Sequence, residues 1–543
     1  MSPAIMFLLP VLAGLLSHQV FRYREPTLGN CLGGFLLAET ALAVMLFGCA
    51  HPIHALCTTS AMYIASLSLS ILIYRAILHP LAIPGPFLAR LSKLWAVAVT
   101  VEGRNHATIA ELHATYGDFV RIGPNEVSIS NVAAIHEIYG PRSEWTRSDW
   151  YKGVPRPANS ESLMSLRGHA EHSQRHKVWD RAFTTTAVKD YQPLVTQRVQ
   201  QLSDRLASES GLGAVDIGKW FSACTFDIMG DLAFDGGFEL VQNGDIGGYW
   251  QTINEAVRIG AIFINLPWLA EPLAWLAAKM PFLPLACKKA KLERFAERQV
   301  RSRQQKVAHS KDLSYWLIGE DTGICEISLP DLVAEAVLVI IAGSDSTTLA
   351  SFFLFFLLGQ HPAIVARLRQ ELQDTHDRYG QLTIDKLSEL PYLNACINES
   401  LRLYPPIPNG HPRRAPKGGA TVAGQFIPEG TTVIIPAYTL HRDPKYWSEP
   451  NTFRPERWLP EGTSAGEKDD FRAYIPFSYG PYSCIGRNLA RHEVRLLVAT
   501  IITRFDFQLA DGFDPQTFEQ QITGEFLLTR PVLPMVLRER MQE

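Results

Sequence analysis

The chain has 543 residues, of which 47% are hydrophobic and 19% charged, with a formal net charge of −3. That is too apolar for a purely soluble protein and points to membrane segments, while the near-neutral charge leaves no electrostatic footprint for nucleic acid. The eight cysteines show no CxxC pair or regular spacing, which excludes a disulfide framework and a zinc site and places the catalytic part in a reducing compartment.

Residues 1–79 differ from the rest. Apolar stretches run near 4–16, 31–50 and 56–77; the second and third are long enough to span a bilayer, and Glu39 is the only charge in the second. The first lacks a basic n-region and a small-residue cleavage site, so it reads as retained. Arg22 and Arg24 lie between stretches one and two, and Arg75 follows the third. Three spans would then put the N-terminus in the lumen and everything after Arg75 in the cytosol. One span plus two buried or interfacial helices is the alternative; the expectation is two or three. The segment 80–86, with prolines at 80, 84 and 86, reads as a stiff hinge. A single catalytic domain is expected over 87–543.

Within that domain Phe119 to Ile129 alternates and turns like a small hairpin. Helical patterns dominate afterwards, with little strand signal until about residue 411. His172 and His176 share a helix face beside Arg175. A histidine pair at this spacing is either a metal site or a solvated basic face. The nearly charge-free run 262–284 carries too many prolines for a span and reads as buried core. Residues 331–360 form one long helix, apolar nearly all round, opened by Pro330 and closed by His361-Pro362. Its central cluster, Gly343-Ser344-Asp345-Ser346-Thr347-Thr348, is costly in lipid or in an ordinary core. At an active site the glycine makes room beside a cofactor, and an acid followed by hydroxyls relays protons. Further on, Glu399 and Arg402 are three apart on a helix stopped by Pro405-Pro406 and can pair.

Near the C-terminus, Phe477-Ser478-Tyr479-Gly480-Pro481-Tyr482-Ser483-Cys484-Ile485-Gly486 leads into a helical run. Cys484 therefore stands at a helix N-terminus, where free N–H groups and the dipole favour a thiolate. Taken alone, such a cysteine is more often a buried apolar residue than a ligand. The surrounding pattern resembles the haem loop of the cytochrome P-450 superfamily, Phe-x-x-Gly-x-Arg-x-Cys-x-Gly, except that Tyr482 replaces the basic residue. Ala342-Gly343-Ser344-Asp345-Ser346-Thr347 is similar to the superfamily's oxygen-binding motif, with Ser346 for the usual first threonine. Glu399-x-x-Arg402 and the downstream Phe453 to Trp458 segment, with Arg457, complete the match over roughly residues 84 to 540.

The resemblance implies a mainly α fold with a minor β region, the P-450 fold, preceded by N-terminal transmembrane helices. It implies non-covalent haem b, with Cys484 as the iron's axial ligand and Phe477 and Gly486 in the loop around it. Asp345, Ser346 and Thr347 would deliver protons, and Arg413, His176 and Arg175 would hold the propionates. Glu399, Arg402 and Arg457 would form the structural network behind the haem loop. The 262–284 run would sit at an access region that touches membrane lipid. The implied reaction is insertion of one oxygen atom of O2 into a small apolar substrate, with electrons from a separate NADPH-cytochrome reductase. The location would be the endoplasmic reticulum membrane, multi-pass, with the catalytic domain facing the cytosol. Pro412 to Gly419 and the multi-span anchor look most like fungal members acting on alkaloids, terpenoids or polyketides. A haem-thiolate isomerase or dehydratase, or a non-catalytic membrane haem- or ligand-binding protein, are the rival readings.

Overall fold

A computed structural model of the protein describes residues 3–23, 28–46, 51–154, 156–157, 159–236, 238–246, 248–269, 272, 276, 279–280, 284–306, 311–462 and 469–540. Three helices open the chain, α1 (Pro3–Tyr23), α2 (Leu28–Leu46) and α3 (Pro52–Ile73). Gly14 lets α1 press on α3: a Cβ there would lie 2.1 Å from Ser66 Oγ. Polar side chains find partners between the helices, as apolar surroundings require. His18 Nδ1 meets Ser70 Oγ at 2.7 Å, and the Ser60 hydroxyl donates to the Glu39 carboxylate at 2.7 Å. Leu36, Leu37, Ile53 and Leu69 face outward. Among the described residues, Pro52–Leu78 and Leu329–Gln360 are long and apolar enough to cross a membrane, but the second is mostly buried inside the protein.

The proline-rich segment after α3 is zipped onto the strand that follows it and does not hang as a free linker. Leu81 and Ile83 are buried, Pro84 O accepts the Arg121 N–H at 2.7 Å, and a Cβ on Gly85 would lie 2.2 Å from Arg121 O. The hairpin read from Phe119 onward forms as β1 (Phe119–Gly123) and β2 (Glu126–Ile129). A third strand, β3 (Thr146–Arg147), joins β4 (Arg413–Arg414) and β5 (Thr432–Ile434) in a five-stranded sheet of order β1-β2-β5-β4-β3. Its register sets Arg147 directly opposite Arg413 across an antiparallel pair.

Apart from a three-stranded and a two-stranded sheet, the rest is mainly helical and packs around one large core. Its main members here are α4 (His169–Ala182), α5 (Ile217–Phe234), α6 (Tyr249–Phe263), α7 (Leu329–Gln360), α8 (Pro391–Leu403) and α9 (Arg487–Arg504). The Ser328 hydroxyl caps α7 by accepting the Asp331 N–H, Pro330 fills its first turn, and His361-Pro362 ends it. An α7 apolar on every side is stable because other helices cover it: Phe352, Phe353, Phe355 and Phe356 are fully buried.

Candidate active site

Cys484 follows a short 3-10 turn (Gly480–Tyr482) and its N–H donates to Phe477 O at 2.9 Å. Gly480 has φ +71°, and a Cβ there would sit 1.8 Å from Tyr139 O, so no other residue makes this turn. Gly486 is different: a Cβ would meet Phe183 at 3.8 Å, an ordinary contact, so the protein alone does not demand glycine there. The Cys484 thiol opens into a cavity of about 320 Å³. Burial raises the thiol above its usual range, against opposing pulls from the Gly486 N–H and Arg487. The helix start acts in the expected direction, since the Gly486 N–H and Arg487 both favour the thiolate, but burial is the larger effect.

Across the cavity, α7 presents Ala342, Gly343, Ser346, Thr347 and Ala350. At Gly343 a Cβ would come within 2.2 Å of Met229 Sδ on α5, so any added methyl must displace that side chain. The Ser346 hydroxyl donates back to Ala342 O at 2.7 Å. Asp345 is displaced from the expected arrangement. One residue of helix rotation turns it out of the cavity lining and into the interior. Burial pushes its carboxyl up to about 6, and Arg530 is the cation that opposes this.

Basic groups gather at one edge. On α4 and its C-cap, His172, His176, Trp179 and the capping Phe183 form the cavity-facing stripe, with His172 buried. Burial first, then Arg147 and neighbouring cations, holds His172 neutral with its pKa lowered to about 3. His176 Nδ1 lies 2.9 Å from the Asp180 carboxylate. Arg175 falls off that stripe. It binds Glu335 at 2.6 Å and Asp331 at 2.9 Å, tying α4 to α7, and does not face the cavity as expected. Arg147, which the sequence reading did not single out, lines the cavity instead. Arg147 and Arg413 are only 7% and 1% exposed, and among the described residues neither has a carboxylate partner. Among the described residues the Nε of each is also without a hydrogen-bond partner. The Tyr482 ring lies 4.6 Å from both guanidinium carbons, and its hydroxyl meets His169 Nδ1 at 2.7 Å.

A family model for cytochrome P450 matches residues 84–536. The chain belongs to the cytochrome P450 family. Cytochrome P450 67 of Uromyces fabae is 33% identical over 95% of this chain and 96% of its own length. Tryprostatin B 6-hydroxylase of Aspergillus fumigatus is 32% identical over 97% and 95%. The haem domain of cytochrome P450DA superposes with a TM-score of 0.70 over 84% of this chain and 98% of that structure, at 19% identity, which bears on the fold alone. As a P450 monooxygenase the protein is an oxidoreductase with a haem-thiolate cofactor.

The residues present fit that group. The cavity has a thiol at its wall, largely apolar lining, and two buried guanidinia whose Nη1 atoms bond Leu163 O and Tyr151 Oη and that have no carboxylate partner among the described residues, a setting that accommodates an apolar group with an anionic edge. Behind the P450 loop, Glu399 accepts from Arg402 Nε and Nη2 at 2.9 and 2.8 Å and from Arg457 Nε at 2.9 Å, all three fully buried. Sequence reading missed three members of this network. Asp469 binds Arg457 at 2.6 Å, the Trp458 indole donates to Glu399 at 2.9 Å, and His441 joins the network to the loop. Burial and the Arg402 charge keep His441 neutral, its pKa lowered to about 3. Its Nδ1–H then donates to Arg402 O at 3.1 Å, and its Nε2 accepts the Ile475 N–H at 2.9 Å, two residues before Phe477. From the run 262–284, Ile264 lines the cavity, while much of 270–283 lies outside the described residues.

Proposed function

We propose that the protein oxidises a small apolar secondary metabolite, with Cys484 as the iron ligand and electrons from a separate NADPH-dependent reductase. The observation that carries the reading is one cavity holding both the Cys484 thiol and the carboxylate-free guanidinia of Arg147 and Arg413. Arg147, Arg413, Tyr482 and His176 hold the haem edge, and Arg147 takes the place expected of Arg175. Bound haem supplies the iron at which dioxygen is activated. The chain supplies the walls: Trp150, Ile264, Leu338, Ile341 and Phe526 line the cavity with apolar surface, which selects an apolar substrate and keeps water away from the reacting atoms. Support for a secondary-metabolite substrate comes from the fungal relatives, one of them named for hydroxylating tryprostatin B.

The anchor in this reading spans the membrane two or three times as residues 1–79, with 80–86 as its junction to a catalytic domain over 87–543 on the cytosolic face of the endoplasmic reticulum. The apolar outer faces of α2 and α3 and their internal polar pairs support it.

The deciding experiment is the carbon monoxide difference spectrum of the reduced protein in membranes, beside Cys484→Ala. A strongly red-shifted Soret band in the wild type alone is expected. A band at the position of histidine-ligated haem in the wild type would overturn the assignment of Cys484.

A further inference from the structure

Beside the Cys484 cavity lies a second one of about 70 Å³. The two share Trp150, Ile264, Gly410 and Phe526 as walls, but their linings differ in kind. The larger is mostly apolar, whereas the smaller is edged by Lys93, Glu126, Asn265, Asn409 and Glu525. Four of these five polar side chains have partners. Lys93 pairs with Glu126, and Glu525 with Arg258 at 3.2 Å. The Asn265 amide nitrogen donates to Thr100 Oγ1 at 3.1 Å and to Ala261 O at 2.9 Å. Asn409 is the exception. Its Oδ1 is buried and has no hydrogen-bond partner among the described residues. A buried acceptor in that state costs stability unless a donor reaches it from outside the chain.

The backbone holds Asn409 firmly at this place. Pro408 before it has a fixed φ, and its carbonyl accepts the Tyr438 N–H at 2.8 Å. Gly410 after it has φ +73°, and a Cβ there would lie 2.2 Å from Ile435 O. Ile407, Gly410 and His411 of the same turn line the larger cavity, so one stiff turn serves both. An acceptor placed this way is set before anything binds. Rings form part of the shared wall. Phe526 lies 5.5 Å from Trp150 and 6.3 Å from His411 between centroids, a surface that suits another ring.

The charge of the missing donor also follows. Glu126 and Glu525, the carboxylates of the smaller cavity, already hold Lys93 and Arg258, so an ammonium beside Asn409 would be buried without a counter-charge. Building on the monooxygenase reading above, we infer that Asn409 is a specificity-determining residue that accepts a hydrogen bond from a neutral donor of the substrate, an amide N–H or a hydroxyl. The substrate is then an aromatic, otherwise apolar compound with one such group. The donor enters the smaller cavity, and the apolar body stays in the larger one, into which the Cys484 thiol opens.

The test uses full-length protein in lipid nanodiscs, titrated with two matched pairs: hydrocinnamamide against its N,N-dimethyl derivative, and hydrocinnamyl alcohol against its methyl ether. Binding is read both by the substrate-type shift of the Soret band and by the rise in unfolding temperature. The second readout does not depend on Cys484 ligating haem, so a missing red-shifted carbon monoxide band would defeat the monooxygenase reading separately from this one. Wild type should bind the donor-bearing member of at least one pair about tenfold tighter, the worth of satisfying one buried acceptor. In Asn409→Leu that preference should vanish while the two capped compounds bind as before, which separates hydrogen bonding from size. Asn265→Leu removes an amide that is already engaged and should keep the preference. Without ligand, N409L should unfold at no lower a temperature than wild type, because it removes an orphaned acceptor; a fall with the preference kept would assign Asn409 to packing and sink the idea. Should N409L not fold, the wild-type pairs decide alone. No preference in either pair, the result expected if water satisfies Asn409, overturns the inference, as does a preference that survives in N409L.

Discussion

Arg147 and Arg413 face each other directly across the β3–β4 pair, and the ring of Tyr482 stands 4.6 Å from each guanidinium. Like charges in that register repel, and here they are also buried. The phenol offers each a π face, which softens the repulsion without neutralising it. A basic side chain at 482 would have put a third cation between them. The tyrosine and the buried Arg147 thus belong to one arrangement, which leaves that edge of the cavity with two cations.

This arrangement predicts the behaviour of three variants. Arg147→Ala should weaken haem retention about 10- to 100-fold, the loss of a charge-assisted hydrogen bond of ~1.5–3 kcal/mol. Arg175→Ala should leave haem retention nearly unchanged while loosening the α4–α7 contact, because its partners are Glu335 and Asp331. Tyr482→Arg should also weaken haem retention, by crowding three cations. Haem transfer to apomyoglobin measures all three; stronger retention in Y482R would refute this account of the site.

The Glu399 network makes a sharper prediction for stability. Glu399→Gln leaves Arg402 and Arg457 buried without their shared carboxylate, a change expected to cost ~3–5 kcal/mol. Folded, haem-loaded protein should be scarce, as read by the red-shifted carbon monoxide band per unit of chain. His441→Phe keeps the volume but cuts both hydrogen bonds between Arg402 O and the Ile475 N–H. It should fold and take up haem, yet broaden or shift that band, because the loop loses its tie to α8.

Much of this was readable in the sequence, and the limits have physical causes. Cys484, Glu399, Arg402 and α7 are announced by local pattern: a turn before a helix, a three-residue spacing, an apolar run with caps. Arg147 was not, because a two-residue strand has no periodicity and its meaning arises only when Arg413 pairs with it, far along the chain. Asp469 and His441 were hidden for the same reason, since contact across the fold leaves no local signature. Asp345 and Arg175 went astray by one step of helix rotation, about 100° per residue, which motif spacing does not resolve.

Gly343 shows how packing can imitate chemistry. Its place in the polar cluster suggests room for a cofactor, but the missing Cβ makes space for Met229. Gly343→Ala should therefore destabilise the protein by ~1–3 kcal/mol through overpacking of α5 on α7. Met229→Ala in the same chain should recover most of that loss. Thermal unfolding of the single and double variants measures it; a double variant no better than G343A would return the glycine to a role beside the cofactor.

The pH dependence of stability isolates Glu493. Its carboxyl, buried on α9 at the cavity wall with no hydrogen-bond partner for either oxygen among the described residues, is raised in the folded protein to about 8, against an ordinary value of 4.5. Below that lower value both folded and unfolded states hold the proton, and the raised pKa gives its full benefit. As pH climbs from 4.5 toward 8 the unfolded chain releases the proton and the folded chain does not. Stability must then fall by up to ~1.4 kcal/mol per pH unit from this group, levelling off only above the folded value. Other groups titrate across the same window, so the quantity to measure is the difference between wild type and Glu493→Gln in denaturant unfolding at several pH values. That difference should shift in favour of the glutamine variant as pH rises from 5 to 8. A difference flat with pH would mean that Glu493 titrates as an ordinary carboxylate, and a buried orphan acid could no longer be assigned to the cavity.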